Sequence, residues 1–269
     1  MKNTLLSIKH ETLYKYTAPV SYTIQQLRVI PRHEDHQRIV SWQVKTIGKT
    51  HAFEDAFGNN CEMLTLTAPH KEIKIIATGT VEIAELDHGR IQDKSQLSPL
   101  TYTVPTQLTE PSEIIREFAA KNLSPQTNTT ALLDLASAIR GSVKYQTGST
   151  SVTTSAQDAL HLGMGVCQDH AHLFLACCHS IGLPARYVSG YFDSGDVAHG
   201  ASHAWVDVWV EESDFSGWVS IDVTHACLQN TGYCRLAVGR DYESAAPVRG
   251  VRRGGGDESM TVNVTLRRS

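Results

Sequence analysis

The sequence predicts an α+β protein in two parts: an all-β module, then a core in which helices pack on an antiparallel sheet. Three observations carry this reading. Residues 1–90 alternate apolar and polar side chains with the period of two that marks a half-buried strand. From Thr109 onward the period lengthens to that of an amphipathic helix. Beyond Gly182-Leu183-Pro184, three apolar runs return to strand-like patterning. Helices followed by strands, rather than alternating with them, indicate α+β architecture.

In the first part, Leu6, Ile8, His10, Thr12, Tyr14 and Tyr16 share one strand face, and Ile73, Ile75, Ala77, Val81 and Ile83 share another. Asp55 to Asn60, DAFGNN, is a turn signal between two such runs. Residues 91–107 are polar and interrupted and are expected to be a linker, which leaves 108–269 as the core. There, Pro111 stands near the start of a helix carrying Ile114, Ile115, Phe118 and Ala119. A second helix places Leu132, Leu135, Ala136 and Ile139 on one stripe and is expected to stop at Gly141. Ser155 and Asp158 resemble the capping box of a short third helix. A fourth helix is expected from Cys167 to Gly182, where Gly followed by Leu183-Pro184 is a common stop signal. Strands ARYVSGYF, HAWVDVWV and GWVSIDVT follow. Asp193 to Asp196 reads as a turn and VRRGGGDES as a loop. In the tail, Met260, Val262, Val264 and Leu266 share a face.

The composition is that of a globular protein, with 41% hydrophobic and 19% charged residues. A net charge of -4 gives no basic stripe for nucleic acid. No apolar run approaches the roughly 20 residues that span a bilayer, and the first residues lack the long apolar region of a signal peptide. Six cysteines in a long chain without an export signal suggest reduced thiols and a cytoplasmic location.

The stretch GVCQDHAHLFLACCHSIGLPARY, Gly165 to Tyr187, carries the chemistry. A thiol attacks as thiolate, and an ordinary one, of pKa about 8.5, is mostly protonated at neutral pH. A helix N-terminus and a nearby imidazolium both favour the thiolate. Cys167 has the first, and Gly165 before it suits a tight turn. The second must come from elsewhere in the chain. HAWVDVWV and GWVSIDVT are separated by a polar turn, so they read as an antiparallel hairpin. If it folds about Glu212 and Ser213, His203 lies opposite Asp222, and opposed residues share a face.

Gly-Val-Cys-Gln-Asp-x-Ala-His at 165–172, Ser-His-Ala-Trp at 202–205 and Ile-Asp-Val-Thr at 221–224 resemble the bacterial branch of the transglutaminase-like superfamily. Tyr187 to Tyr191, Gly239 to Tyr242 and Pro247 to Gly250 look like its accessory motifs. His10-Glu11-Thr12, Leu27-Arg28, Pro31-Arg32 and Asp55-x-Phe57-Gly58-Asn59 look like the β-rich module that commonly precedes its core. The resemblance implies a papain-like thiol fold with Cys167, His203 and Asp222 at the positions of a Cys-His-Asp triad. It further implies acyl transfer through a thioester, with the Cys167 backbone N–H helping to stabilise the oxyanion. The expected enzyme is a cysteine peptidase or amidase acting on a peptide or protein amide, without a cofactor. An amine-accepting transglutaminase-type acyltransferase is the alternative within enzymes, and an inactive scaffold the alternative outside them. The calcium-dependent animal members carry further β domains for which this chain has no room, so no calcium site is carried over.

Several readings compete around this site. Cys167-x-x-His170-x-His172 has the residue types of a zinc site, but no second ligand pair accompanies it, so no metal is expected. His172 is expected to pack within the helix. Gln168, His170 and Trp205 are the expected substrate contacts, with Trp205 and Trp209 either walling the cleft or packing. Cys177 and Cys178 are expected to fill the core, and Asp169 to complement the positive helix end.

Overall fold

The computed structural model describes residues 3–123, 127–193, 195 and 201–268. The N-terminal module is built on β1 (Asn3–Leu27), a 25-residue strand, with β2 (Gln37–Lys45), β3 (Lys49–Glu54), β4 (Asn60–Leu66) and β5 (His70–Ala84). The sheet order is β2-β5-β1-β4-β3. The first part of β1 pairs with β5 and the last part with β4. The expected face of β1 is buried throughout. Its two polar members are satisfied there, His10 bonding Tyr191 Oη at 2.7 Å and Thr12 Oγ1 at 2.9 Å.

The expected linker is not free of the core. β6 (Arg90–Ile91) joins the second sheet, and a 3-10 turn at Pro99–Thr103 buries Tyr102. Four helices follow, interrupted by two short strands: α1 (Glu113–Asn122), α2 (Thr129–Ser142), β7 (Lys144–Tyr145), α3 (Ala156–Leu162), β8 (Met164–Gly165) and α4 (Cys167–Ser180). α2 continues one residue past Gly141. The Ser155 hydroxyl accepts the Asp158 N–H, as its spacing suggested. α4 is buried from Gln168 to His179, which is why its sequence is apolar on nearly every side. Cys177 and Cys178 are fully buried core residues, and burial pushes the Cys177 thiol up to about 12.

The second sheet contains β9 (Ala185–Phe192), β10 (Ala201–Glu211), β11 (Ser216–Asp222), β12 (Cys227–Leu228) and β13 (Tyr233–Gly239), ordered β12-β11-β10-β9-β13. It curls so far that Tyr233 and Arg235 of β13 reach Asp222 and Ser220 of β11. The helices cover one face, through Ala204, Val206, Val208 and Val210 of β10. The module covers the other, where Leu6, Ile8, Val81 and Ile83 meet Tyr191, Cys234 and Leu236. Of the turn expected at 193–196, Ser194 and Asp196 lie outside the described residues. Asp193 Oδ1 accepts the Gly195 N–H at 3.0 Å.

After α5 (Tyr242–Ala245), the chain departs from expectation. β14 (Val248–Gly254) and β15 (Glu258–Arg268) return to the first sheet and pair one after the other, both antiparallel, along β1. Residues 248–268 therefore extend the first sheet, and VRRGGGDES is mostly strand. The shared face of the tail is open towards solvent at Met260 and Val262 and closes only at Leu266.

Two buried amides lock module to core. The Asn59 side chain donates to Val238 O and accepts from Val238 N–H, both at 2.8 Å. Gln37 repeats this at Arg235, donating to its carbonyl at 2.9 Å and accepting its N–H at 2.7 Å. These amides occupy the positions a further strand would take along the edge of β13. The DAFGNN turn is thereby explained: Asp55 accepts Asn59 and Arg28 and holds the docking amide in place.

Candidate active site

Cys167 begins α4 because Val166 is extended and its N–H is captured. The Asp169 carboxylate reaches back to accept Val166 N–H at 2.7 Å, while Thr150 Oγ1 donates to the same oxygen at 2.7 Å. Gly165 is needed for space: a β-carbon there would stand 2.8 Å from the Asp169 side chain. Asp169 is thus a buried cap more than a surface charge, and burial raises its carboxyl. The Cys167 thiol is partly exposed at this first turn. Beside it, β7 and β8 run parallel with Tyr145 opposite Gly165. Burial, and then the neighbouring Cys167, raise the Tyr145 phenol.

β10 and β11 form the expected hairpin, displaced in register by two residues. Val206 lies opposite Ile221 and Glu211 opposite Ser216, so the turn centres on Ser213 and Asp214. An even displacement keeps each side chain on its face. His203 and Asp222 become diagonal instead of directly opposed, and His203 Nε2 still bonds Asp222 Oδ2 at 2.8 Å. The remaining ring nitrogen, Nδ1, is not used by Asp222, and the Cys167 side chain lies close enough to the imidazole to act on its ionisation. Burial alone would lower the pKa of His203, but the Asp222 and Cys167 contacts outweigh it and push it up to about 10. Burial alone would raise Asp222, but bonds from His203, His225 and Tyr233 hold it well below the usual carboxylate range.

Two of these partners escaped the sequence reading. Tyr233 Oη donates to Asp222 Oδ2 at 2.6 Å, and His225 Nδ1 approaches the same oxygen at 2.7 Å. A carboxylate only accepts, so each nitrogen facing it carries a hydrogen. His225 N–H also donates to Asp222 Oδ1 at 3.1 Å. The turn after β11 makes this possible, with Ala226 at φ 52°, a conformation that residues other than glycine rarely adopt. Asp222-x-x-His225 has the spacing at which an aspartate accepts a backbone N–H three residues on, a signal present in the sequence. Tyr233 has no local signal, because its approach depends on how the sheet curls.

The side chains expected to contact substrate are buried or nearly so. His170 is buried and both its nitrogens are engaged, Nδ1 with Thr224 Oγ1 at 3.0 Å and Nε2 with Val143 O at 2.9 Å, so it is a strut between α4 and its neighbours. Trp205 is fully buried and stacks behind His203 with ring centroids 6.1 Å apart. Gln168 is nearly buried and donates to Val152 O at 3.3 Å. His172 packs within the helix as expected and accepts Tyr242 N–H at 3.1 Å. Cys167, His170 and His172 therefore do not converge. Among the described residues, the group whose ligand atoms could meet on one ion is His203, Asp222 and His225. A cavity of about 740 Å³ lies elsewhere, at the junction of module and core, lined by Arg32, Glu34 and Arg186 among others. No helix among the described residues is long and apolar enough to cross a membrane.

Comparison with known proteins places this arrangement. The model of the transglutaminase-like superfamily matches residues 116–223, and that of the bacterial transglutaminase-like N-terminal region matches residues 6–82. An uncharacterised protein of Mycobacterium leprae is 32% identical over 286 aligned positions, with 98% of each chain covered. One of Mycobacterium tuberculosis is 30% identical over 91% of this chain and 86% of its own. The crystal structure of a candidate cysteine protease from Cytophaga hutchinsonii superposes with a TM-score of 0.80 at 22% identity, covering all of this chain and 91% of that one. That likeness shows a shared fold. The chain belongs to the transglutaminase-like superfamily, in the branch whose core follows a bacterial transglutaminase-like N-terminal region.

Proposed function

We propose that this protein is a thiol-dependent acyl-transfer enzyme, a cysteine peptidase or amidase acting on a peptide or isopeptide-like amide. The observation that carries the reading is the His203–Asp222 bond at 2.8 Å, with Cys167 at the start of α4 close enough to help raise the same imidazole. In this reading Cys167 is the nucleophile. His203 takes its proton, or already holds it as an ion pair, and later returns it to the leaving amine. Asp222 fixes the ring and stabilises its cation. The thiolate adds to the carbonyl carbon, and the oxyanion is met by the Cys167 backbone N–H, unpaired in the first turn of α4. Collapse expels the amine and leaves a thioester. Water then releases the acid; an amine in its place would give transfer.

The test is the rate at which iodoacetamide alkylates Cys167 as a function of pH, read by peptide mapping. Wild type should label rapidly near pH 6, and His203→Ala should slow this by roughly 10–100-fold, the reduction expected when a thiol loses its imidazolium partner. The gap should narrow above pH 8.5, where an ordinary thiol ionises unaided. Wild-type labelling that rises only near pH 8.5, with no change in His203→Ala, would sink the proposal.

A further inference from the structure

The Asp222 cluster has a second capability. His203 Nε2, Asp222 Oδ2 and His225 Nδ1 all lie within 4.8 Å of one another. Two imidazoles and one carboxylate are the donor set that late first-row divalent cations select, with further positions left open. The support such a site needs is also present. Tyr233 Oη and the His225 backbone N–H hold the Asp222 carboxylate from behind. The rings of Phe192 and Trp205 hold the His203 imidazole, at 5.3 and 6.1 Å between centroids. The third ligand gives access: the His225 side chain is 45% exposed, while that of Asp222 is fully buried. An ion can therefore arrive on His225 from solvent and move inward.

We propose that His203, Asp222 and His225 form a binding site for one divalent cation of the zinc class, and that filling it reversibly silences Cys167. The ion takes the place of the hydrogens that the two imidazoles present to Asp222 Oδ2 and bonds both nitrogens and the oxygen. Each ring keeps one hydrogen, on its other nitrogen, and a ring that starts as imidazolium releases its second proton to solvent. His203 is then held by a metal at Nε2 with its hydrogen on Nδ1, which can no longer accept the thiol proton. This second clause rests on the acyl-transfer reading; the binding site does not.

The experiment separates them. Full-length Cys167→Ala, which has no thiol at position 167 to compete for metal, is titrated with Zn²⁺ by calorimetry in chelator-free buffer, alongside the same chain carrying His225→Ala or His225→Gln. One ion per chain is expected, bound at least tenfold more weakly in both His225 variants. Thermal melts check that these exposed-site variants fold. No stoichiometric binding, or equal binding in the His225 variants, overturns the proposal. So does binding that wild type shows and Cys167→Ala lacks, since the ion then sits on the thiol. In wild type, Zn²⁺ should slow iodoacetamide labelling of Cys167 at least tenfold, with full recovery on adding EDTA. Labelling unaffected by bound Zn²⁺ removes the silencing clause alone, whereas a Cys167 indifferent to His203 removes the acyl-transfer reading and leaves the calorimetry standing.

Discussion

Two buried carboxylates on the same curled sheet have opposite surroundings. Asp207 on β10 is enclosed by guanidinium groups: Arg186 Nε donates to Oδ2 at 2.8 Å, and Arg235 donates to both oxygens, at 3.0 Å to Oδ1. Glu34 and Arg32 extend the cluster, and Arg186 lies 4.2 Å over the Trp218 ring. Asp222 on β11 is enclosed by two imidazoles and a phenol. Guanidinium stays charged at any pH a protein tolerates, so the Asp207 cluster can only hold position. Imidazole can gain or lose a proton, so the Asp222 cluster holds groups suited to the chemistry proposed for it. In the proposed function, the same kind of buried acid serves as structure or as chemistry according to whether its partners can let go of a hydrogen.

Exchanging the loss between the two sites is the strongest way to break this comparison. Asp222→Asn should lower the acylation of Cys167 by p-nitrophenyl acetate, followed as the nitrophenolate burst, by about 10²–10⁴-fold. Asp207→Asn should leave that burst near wild type in the folded fraction and instead cost about 3–5 kcal/mol in urea unfolding, because it strands buried guanidinium charge. Equal losses of burst amplitude in the two variants would erase the distinction. A smaller effect sharpens it. His203 is held up at about 10 against an ordinary value near 6.5, so its stabilisation is full below pH 6.5 and is lost as pH rises towards 10. The unfolding free energy of wild type relative to His203→Ala should therefore decline across that window, by on the order of a few kcal/mol. The Asp207 cluster should contribute no slope there. Asp222 carries the opposite sign: its contribution is present above the ordinary carboxylate range and is lost as acid protonates it. The smallest change expected is Tyr233→Phe, which removes one of three donors from Asp222 Oδ2. It should cost about 1.5 kcal/mol of stability by urea titration and leave the burst far closer to wild type than Asp222→Asn does.

Local pattern and family resemblance exposed different parts of the molecule. The face of β1, the helices and the start of α4 follow from periodicity and capping, which act over a few residues. The His203–Asp222 pairing survived an error in the turn because the register slipped by two, and strand faces repeat every two residues. The return of β14 and β15 to β1 was not legible, since alternation marks a strand without naming its partner. The burial of His170 and Trp205 was not legible for a related reason: closeness to the thiol in sequence, or sharing a strand face with His203, does not reveal what covers a side chain. The Asp207 cluster and Tyr233 depend on the curl of the sheet and have no signature in any short window.

The amides of Gln37 and Asn59 have a consequence for anyone who dissects the molecule. They stand where a neighbouring strand would stand, so cutting the chain at the expected linker would not release a tidy catalytic fragment. It would uncover a backbone template at Arg235 and Val238, ready to recruit the first extended chain it meets. The N-terminal module thus covers an edge of the core, and insolubility is the outcome expected when it is removed.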